Sequence, residues 1–200
     1  MNIIVVGATG TIGRAVVEIL RPDHEILAVG HSNGALRVDL ASPASIESMY
    51  QAAGTADAVI SAAGPASFGS LDELKDADYE FAFRNKLMGQ VNLVRIGRRF
   101  LSDRGCFSLT TGMLGQRPMP GSAVISMVNA ALEGFVRAAA LELKDHFRVN
   151  AVSPIFVKET MIKLGMDPSS GMSAADTARA YKASVEGEET GQVLDVRDYA

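Results

Sequence analysis

Ile3 to Val6 is an unbroken β-branched run closed by Gly7, the pattern of a short strand buried on both faces. Arg14 to Leu20 then returns apolar residues at helical spacing, so the chain opens as strand, glycine turn, helix. Glu25–Val29 predicts a second strand and Arg37–Leu40 a short third. Ser42-Pro43 followed by Ile46, Met49 and Tyr50 predicts a helix with a serine N-cap and proline at its first position. Ala58–Ser61 reads as a fourth strand. From Asp72 to about Phe100, Phe81, Leu87, Val91 and Val94 recur at helical spacing, and Cys106–Leu109 returns to strand character. Ser122–Leu143 is a long Ala-rich helix, Arg148–Val152 a sixth strand, residues 154–171 an irregular stretch, and Gln192–Val196 a last strand. Strands alternating with helices predict an α/β fold, a Rossmann-type doubly wound parallel sheet, in a single domain over residues 1–200.

Composition narrows the function classes. A chain of 200 residues with 48% hydrophobic side chains can bury one sizeable core. The net charge of -4 supplies no basic stripe to neutralise phosphates along a duplex, so no nucleic-acid partner is expected, and the reading is of a soluble, cytoplasmic protein. The opening apolar run is too short for a signal peptide or a membrane span, and no membrane association is expected. Cys106 is the sole cysteine, which excludes an internal disulfide or a Cys-based zinc cluster; its strand setting reads as inert core packing. His24, His31 and His146 lack metal-ligand spacing, and no metal site is expected.

The first turn carries the strongest chemical signal. Gly7, Thr9, Gly10, Thr11, Ile12 and Gly13 lie between the first strand and first helix. There glycines let the backbone approach a pyrophosphate, and the helix N-terminus offers free N–H groups and a positive dipole end. In such folds an acidic residue roughly 20 residues beyond the glycines holds the ribose 2′-hydroxyl of NAD. Here the end of the second strand reads Gly30-His31-Ser32-Asn33. With no carboxylate to repel a 2′-phosphate, and with His31, Ser32, Asn33 and Arg14 nearby, NADP (as NADPH) is favoured over NAD. A polar loop tolerating either cofactor is the alternative. Asp39 and Leu40, after the third strand, are placed for adenine contact.

Several segments taken in order resemble the short-chain dehydrogenase/reductase superfamily: the glycine turn, Val38-Asp39-Leu40, Ser61-Ala62-Ala63-Gly64, Arg148-Val149-Asn150-Ala151-Val152-Ser153-Pro154 and Thr190-Gly191-Gln192-Val193. The resemblance covers nearly the whole chain. It implies that Ala62, Ala63 and Gly64 line the cofactor cleft, that Pro154 passes the nicotinamide, and that the substrate is a small molecule. It also implies a homodimer or tetramer, for which the small-residue face of Ser122–Leu143 suits close helix packing.

The same resemblance implies a Tyr acid/base with a Lys four residues later, and a Ser or Thr bonding the substrate oxygen. Thr111, with Thr110 beside it, supplies the hydroxyl, unless it merely satisfies its own strand end. The Tyr and Lys positions of the long helix hold Ile125 and Asn129, and none of the four tyrosines is followed four residues later by a lysine. An aliphatic side chain transfers no proton. Lys86 stands where the family usually places an Asn three residues before a Gly. The expectation is that it points into the cleft, partly buried, with its pKa lowered toward neutrality, so that it replaces the missing base or holds the cofactor ribose; a solvated helix lysine is the alternative. Ser126 is a further candidate proton donor. Two functions follow: an NADP(H)-dependent oxidoreductase of a small carbonyl or alcohol with unusual proton delivery, or a non-catalytic NADP(H)-binding sensor or partner-binding module.

Overall fold

Asn2–Val6 (β1) buries Ile3, Ile4, Val5 and Val6 almost completely, because successive side chains point to opposite faces and helices cover both. The structure, a computed structural model, describes residues 1–65 and 67–200. The remaining strands are β2 (Glu25–Gly30), β3 (Leu36–Arg37), β4 (Ala56–Ser61), β5 (Leu101–Thr110), β6 (Arg148–Ser153) and β7 (Val193–Asp195). They form one parallel sheet in the order β3-β2-β1-β4-β5-β6-β7. The strand order reverses at β1 and β4, which opens a crevice at their carboxyl ends.

One face of the sheet, through Ile4, Val6, Val59, Phe107 and Leu109, packs on α2 (Pro43–Ala53), α4 (Gly89–Gly97) and α5 (Ala123–Leu143). The other face, through Ile3, Val5, Ile60 and Cys106, packs on α1 (Thr11–Leu20) and α7 (Ala174–Glu186), whose Tyr181 is fully buried. By length and hydropathy α5 is capable of crossing a membrane. Here Val124, Val128, Leu132 and Val136 are wholly buried in the protein interior.

The doubly wound parallel sheet is as expected, and four elements refine the expectation. The helix expected from Asp72 to Phe100 starts at α3 (Asp76–Ala82), passes through a π-helical turn at Phe83–Met88, and ends with α4 at Gly97. β5 begins at Leu101, five residues before Cys106. Its first half shifts register against β4 and is polar, with Ser102 bonded to Asp57 and Arg104 at φ 61°. The irregular stretch after Pro154 contains α6 (Lys158–Lys163) and a short 3₁₀ turn, Pro168–Ser170. The helix α7 is an addition. Ser173 starts it, its hydroxyl accepting from the Asp176 N–H and donating to the Asp176 carboxylate.

Candidate active site

The glycine turn is built for close approach. Gly7 has φ 83°, and a Cβ there would lie 2.8 Å from the Ala62 carbonyl oxygen; a Cβ on Gly13 would lie 2.0 Å from the Gly7 carbonyl oxygen. The turn therefore folds tightly onto the end of β4. Gly10 is the N-cap of α1, with no side chain capping the helix and no acid in its first turn. Its leading N–H groups and positive end are open to an anion. Arg14 braces the turn by donating to the Thr9 carbonyl at 2.9 Å. These residues fit a dinucleotide pyrophosphate.

A cavity of about 500 Å³ continues from this turn, lined by Gly7, Thr9, Gly10, His31, Val38, Leu40, Ala62, Ala63 and Gly64. Ser32, Asn33 and Asp39 are exposed and outside its wall. Asp39 instead accepts from the Ala41 N–H and donates its own N–H to Ser45. Phe81 also lines this cavity, a contact the sequence pattern assigned to the core. It is 45% exposed.

Across Gly64 lies a larger cavity of about 590 Å³ at the carboxyl ends of β4, β5 and β6. Thr11, Ile12, Ala62, Ala63, Gly64, Lys86, Thr111 and Pro154 from the expected site line it, together with Ile125 and Asn129. Lys86 comes from the π-helical turn, is 5% exposed, and is the one charged residue in the wall among the described residues. Its Nζ donates only long contacts, to the Thr110 carbonyl at 3.4 Å and the Thr111 carbonyl at 3.3 Å. Burial lowers its pKa to about 8. The widened turn that aims Lys86 is held by Gln90, which is fully buried. Its amide donates to the Lys86 and Thr110 carbonyls and its oxygen accepts the Thr110 N–H. Gln90 went unread because a glutamine in a helix pattern looks like a solvent-facing residue.

The hydroxyls divide by location. Thr110 also lines the larger cavity, but its hydroxyl is engaged, donating to the Ser61 carbonyl and meeting the hydroxyl of Tyr181, whose pKa burial raises. Thr111 lines the cavity and donates weakly to the Val152 carbonyl at 3.4 Å. Asn129 donates to the Gly112 carbonyl at 3.3 Å, leaving a buried Oδ1 without a partner. Ile125 stands one turn before it on the same face of α5. Ser126 lies outside the wall, its hydroxyl 2.9 Å from that of Ser122. A buried ammonium, a threonine hydroxyl and an apolar chamber thus meet beside the uncapped N-terminus of α1.

A family model described as "Enoyl-(Acyl carrier protein) reductase" matches residues 16–194, nearly all of this architecture. The chain belongs to the short-chain dehydrogenase/reductase superfamily. Among members of that superfamily, the hydroxynaphthalene reductase arp2 of Aspergillus fumigatus is 29% identical over 78% of this chain and 61% of its own length. Versicolorin reductase 1 of Dothistroma septosporum is 31% identical over 74% of this chain and 59% of its own. The chain therefore spans about three-fifths of the length of these curated relatives. Solved structures match over nearly their full length. The protein lin1944 from Listeria innocua is 38% identical, with a TM-score of 0.94 over 98% of this chain and 99% of its own. A small-chain dehydrogenase solved with NADPH is 25% identical, with a TM-score of 0.86 over 98% and 95%.

Proposed function

We propose that this short-chain dehydrogenase/reductase is an NADP(H)-dependent oxidoreductase of a small apolar carbonyl or alcohol, in which Lys86 replaces the missing Tyr and Lys pair as proton donor and acceptor. The observation that carries the reading is the buried ammonium of Lys86 in the wall of the 590 Å³ cavity, beside Thr111 and with no lining carboxylate among the described residues to neutralise it. A bound nicotinamide would supply or accept the hydride. Gly7, Gly10, Thr11 and Ile12 would hold its pyrophosphate, Ala62, Ala63 and Gly64 its ribose edge, and Pro154 the ring end. Thr111 would orient the substrate oxygen. Lys86 would hand that oxygen a proton on reduction and take it back on oxidation, a transfer that a pKa near the working pH favours. The orphaned Asn129 Oδ1 is an acceptor left for a ligand hydroxyl.

His31, in the cavity wall, with no acid at the end of β2, supports NADP over NAD. Assembly into a homodimer is supported by α5, whose outer row of Met127, Ala131, Gly134, Ala138 and Leu141 is exposed. Leu141 is 76% exposed and a Cβ on Gly134 would meet nothing within contact distance.

The second reading, a cofactor-binding module without turnover, draws on Ile125 facing the cavity where the superfamily places its Tyr. One experiment separates the two. NADPH and NADH are titrated into the protein by cofactor fluorescence, and NADPH consumption is followed against small aldehydes, ketones and quinones. Binding with turnover that Lys86→Met removes is the expected result. Turnover unchanged in Lys86→Met would end the proposed role of Lys86, and binding without turnover across the panel would favour the module.

A further inference from the structure

Lys86 enters its cavity on a stem packed against bare backbone. Gly64 has φ 120°, and a Cβ there would stand 3.1 Å from the Lys86 Cα and 3.2 Å from its Cγ. At the tip, Nζ has only the long contacts to the Thr110 and Thr111 carbonyls, and the first of these already accepts the Gln90 amide at 2.9 Å. Among the described residues no carboxylate pairs with it. The wall beside it includes Met113, Leu114, Ile125, Ile155 and Val157, side chains that solvate no charge.

Such surroundings favour the free amine. With a pKa near 8, Lys86 at pH 7 holds about 10² times more free amine than an ordinary lysine at 10.5; its lower basicity gives back part of that advantage in nucleophilicity. The lone pair faces a chamber of about 590 Å³, open to a small organic molecule.

We propose that Lys86 is also a nucleophile: its amine condenses with an aldehyde or an unhindered ketone in the larger cavity to form an imine. The Nζ lone pair makes the N–C bond while the carbonyl π pair moves to oxygen, and one Nζ proton follows to give a carbinolamine. The C–O bond then breaks, and the hydroxyl departs as water with the second Nζ proton. The Thr111 hydroxyl, held only by its 3.4 Å contact to the Val152 carbonyl, can accept one proton and pass on another in that step. Nothing is oxidised or reduced. The condensation begins and ends with neutral groups, so the apolar wall that opposes the ammonium does not oppose the imine. It stands on Lys86 and the cavity alone and needs no cofactor.

The test incubates wild type and Lys86→Arg at pH 7 with benzaldehyde and cyanoborohydride, which fixes an imine as a stable secondary amine, with no nicotinamide added. Intact mass counts the adducts and peptide mapping locates them. The expected result is one benzyl group per chain at Lys86, formed about tenfold or more faster than at the exposed Lys75, Lys144, Lys158 and Lys163. Lys86→Arg should lose this fast phase, and an aldehyde-bearing dextran, too large for the cavity, should spare Lys86. Because the adduct is located in wild type, the outcome does not depend on the variant folding. Labelling of Lys86 no faster than of the exposed lysines would overturn the nucleophile and leave the proton-donor role to be judged by NADPH turnover. Fast labelling in a protein that consumes no NADPH would uphold the imine and count against the oxidoreductase, so the two readings fail separately.

Discussion

Lys86 is a positive charge held in an apolar chamber, and its cost and its use have the same origin. An ammonium taken from water into a site with two long carbonyl contacts titrates near 8 instead of 10.5. Below pH 8 the group is charged in both folded and unfolded chains and the full desolvation penalty opposes folding. Between pH 8 and 10.5 the unfolded chain binds the extra proton, so this penalty fades as the pH rises. Lys86→Met should therefore be more stable than wild type at pH 7, by on the order of 3 kcal/mol, with the difference shrinking toward pH 10.5. Denaturant midpoints of the two proteins across that range measure it, and the comparison cancels the titration of Cys106 and the tyrosines. The same variant should lose carbonyl reduction by about 10²-fold or more. In wild type the reductive rate should fall as the pH rises through about 8, where the donor loses its proton. A flat profile through that window would point to another donor.

At the scale of elements, the glycine turn shows what a sequence can reveal. Its constraint is local: the Gly13 position abuts the Gly7 carbonyl, so a side chain there collides with backbone whatever surrounds it. Gly13→Ala should cost about 1–3 kcal/mol of stability and weaken NADPH binding, read by denaturation and by cofactor fluorescence. β1, β4, β6 and α5 were legible for a similar reason, since burial on both faces or along a stripe writes itself into the apolar spacing. The helix before β5 was not. A π-helical turn inserts a residue and rotates everything upstream, so Phe81, in phase with Val91 and Val94 on paper, is half exposed in the cavity beside the glycine turn. The first half of β5 was hidden by Ser102, Asp103 and Arg104, polar residues that a register shift turns outward. For α7 a signal existed in Ser173 and Asp176, a serine followed three residues later by an acid. Gln90 had none, because its value lies in the Lys86 and Thr110 carbonyls it satisfies, which only the fold brings near.

Taken whole, the molecule separates its tasks by surface. The carboxyl edge of the sheet gathers both cavities, and the opposite edge is tied by Asp57, which accepts from the Asn2 N–H and the Ser102 hydroxyl. The outer row of α5 is left over. A dimer through that row should dissociate when Gly134→Arg places a charge in its centre, and light scattering should report the change from dimer to monomer at micromolar protein. A monomeric wild type would remove this interface from consideration. The middle of the sheet gives a further means of observing the protein. Cys106 is 2% exposed, on a central strand between β4 and β6, with its pKa raised by burial to about 11. The chain has no tryptophan and no second thiol. A thiol reagent can therefore mark a chain only after its sheet has parted, so labelling follows the opening of the core, and the logarithm of its rate falls in proportion to the free energy a ligand adds to the folded state.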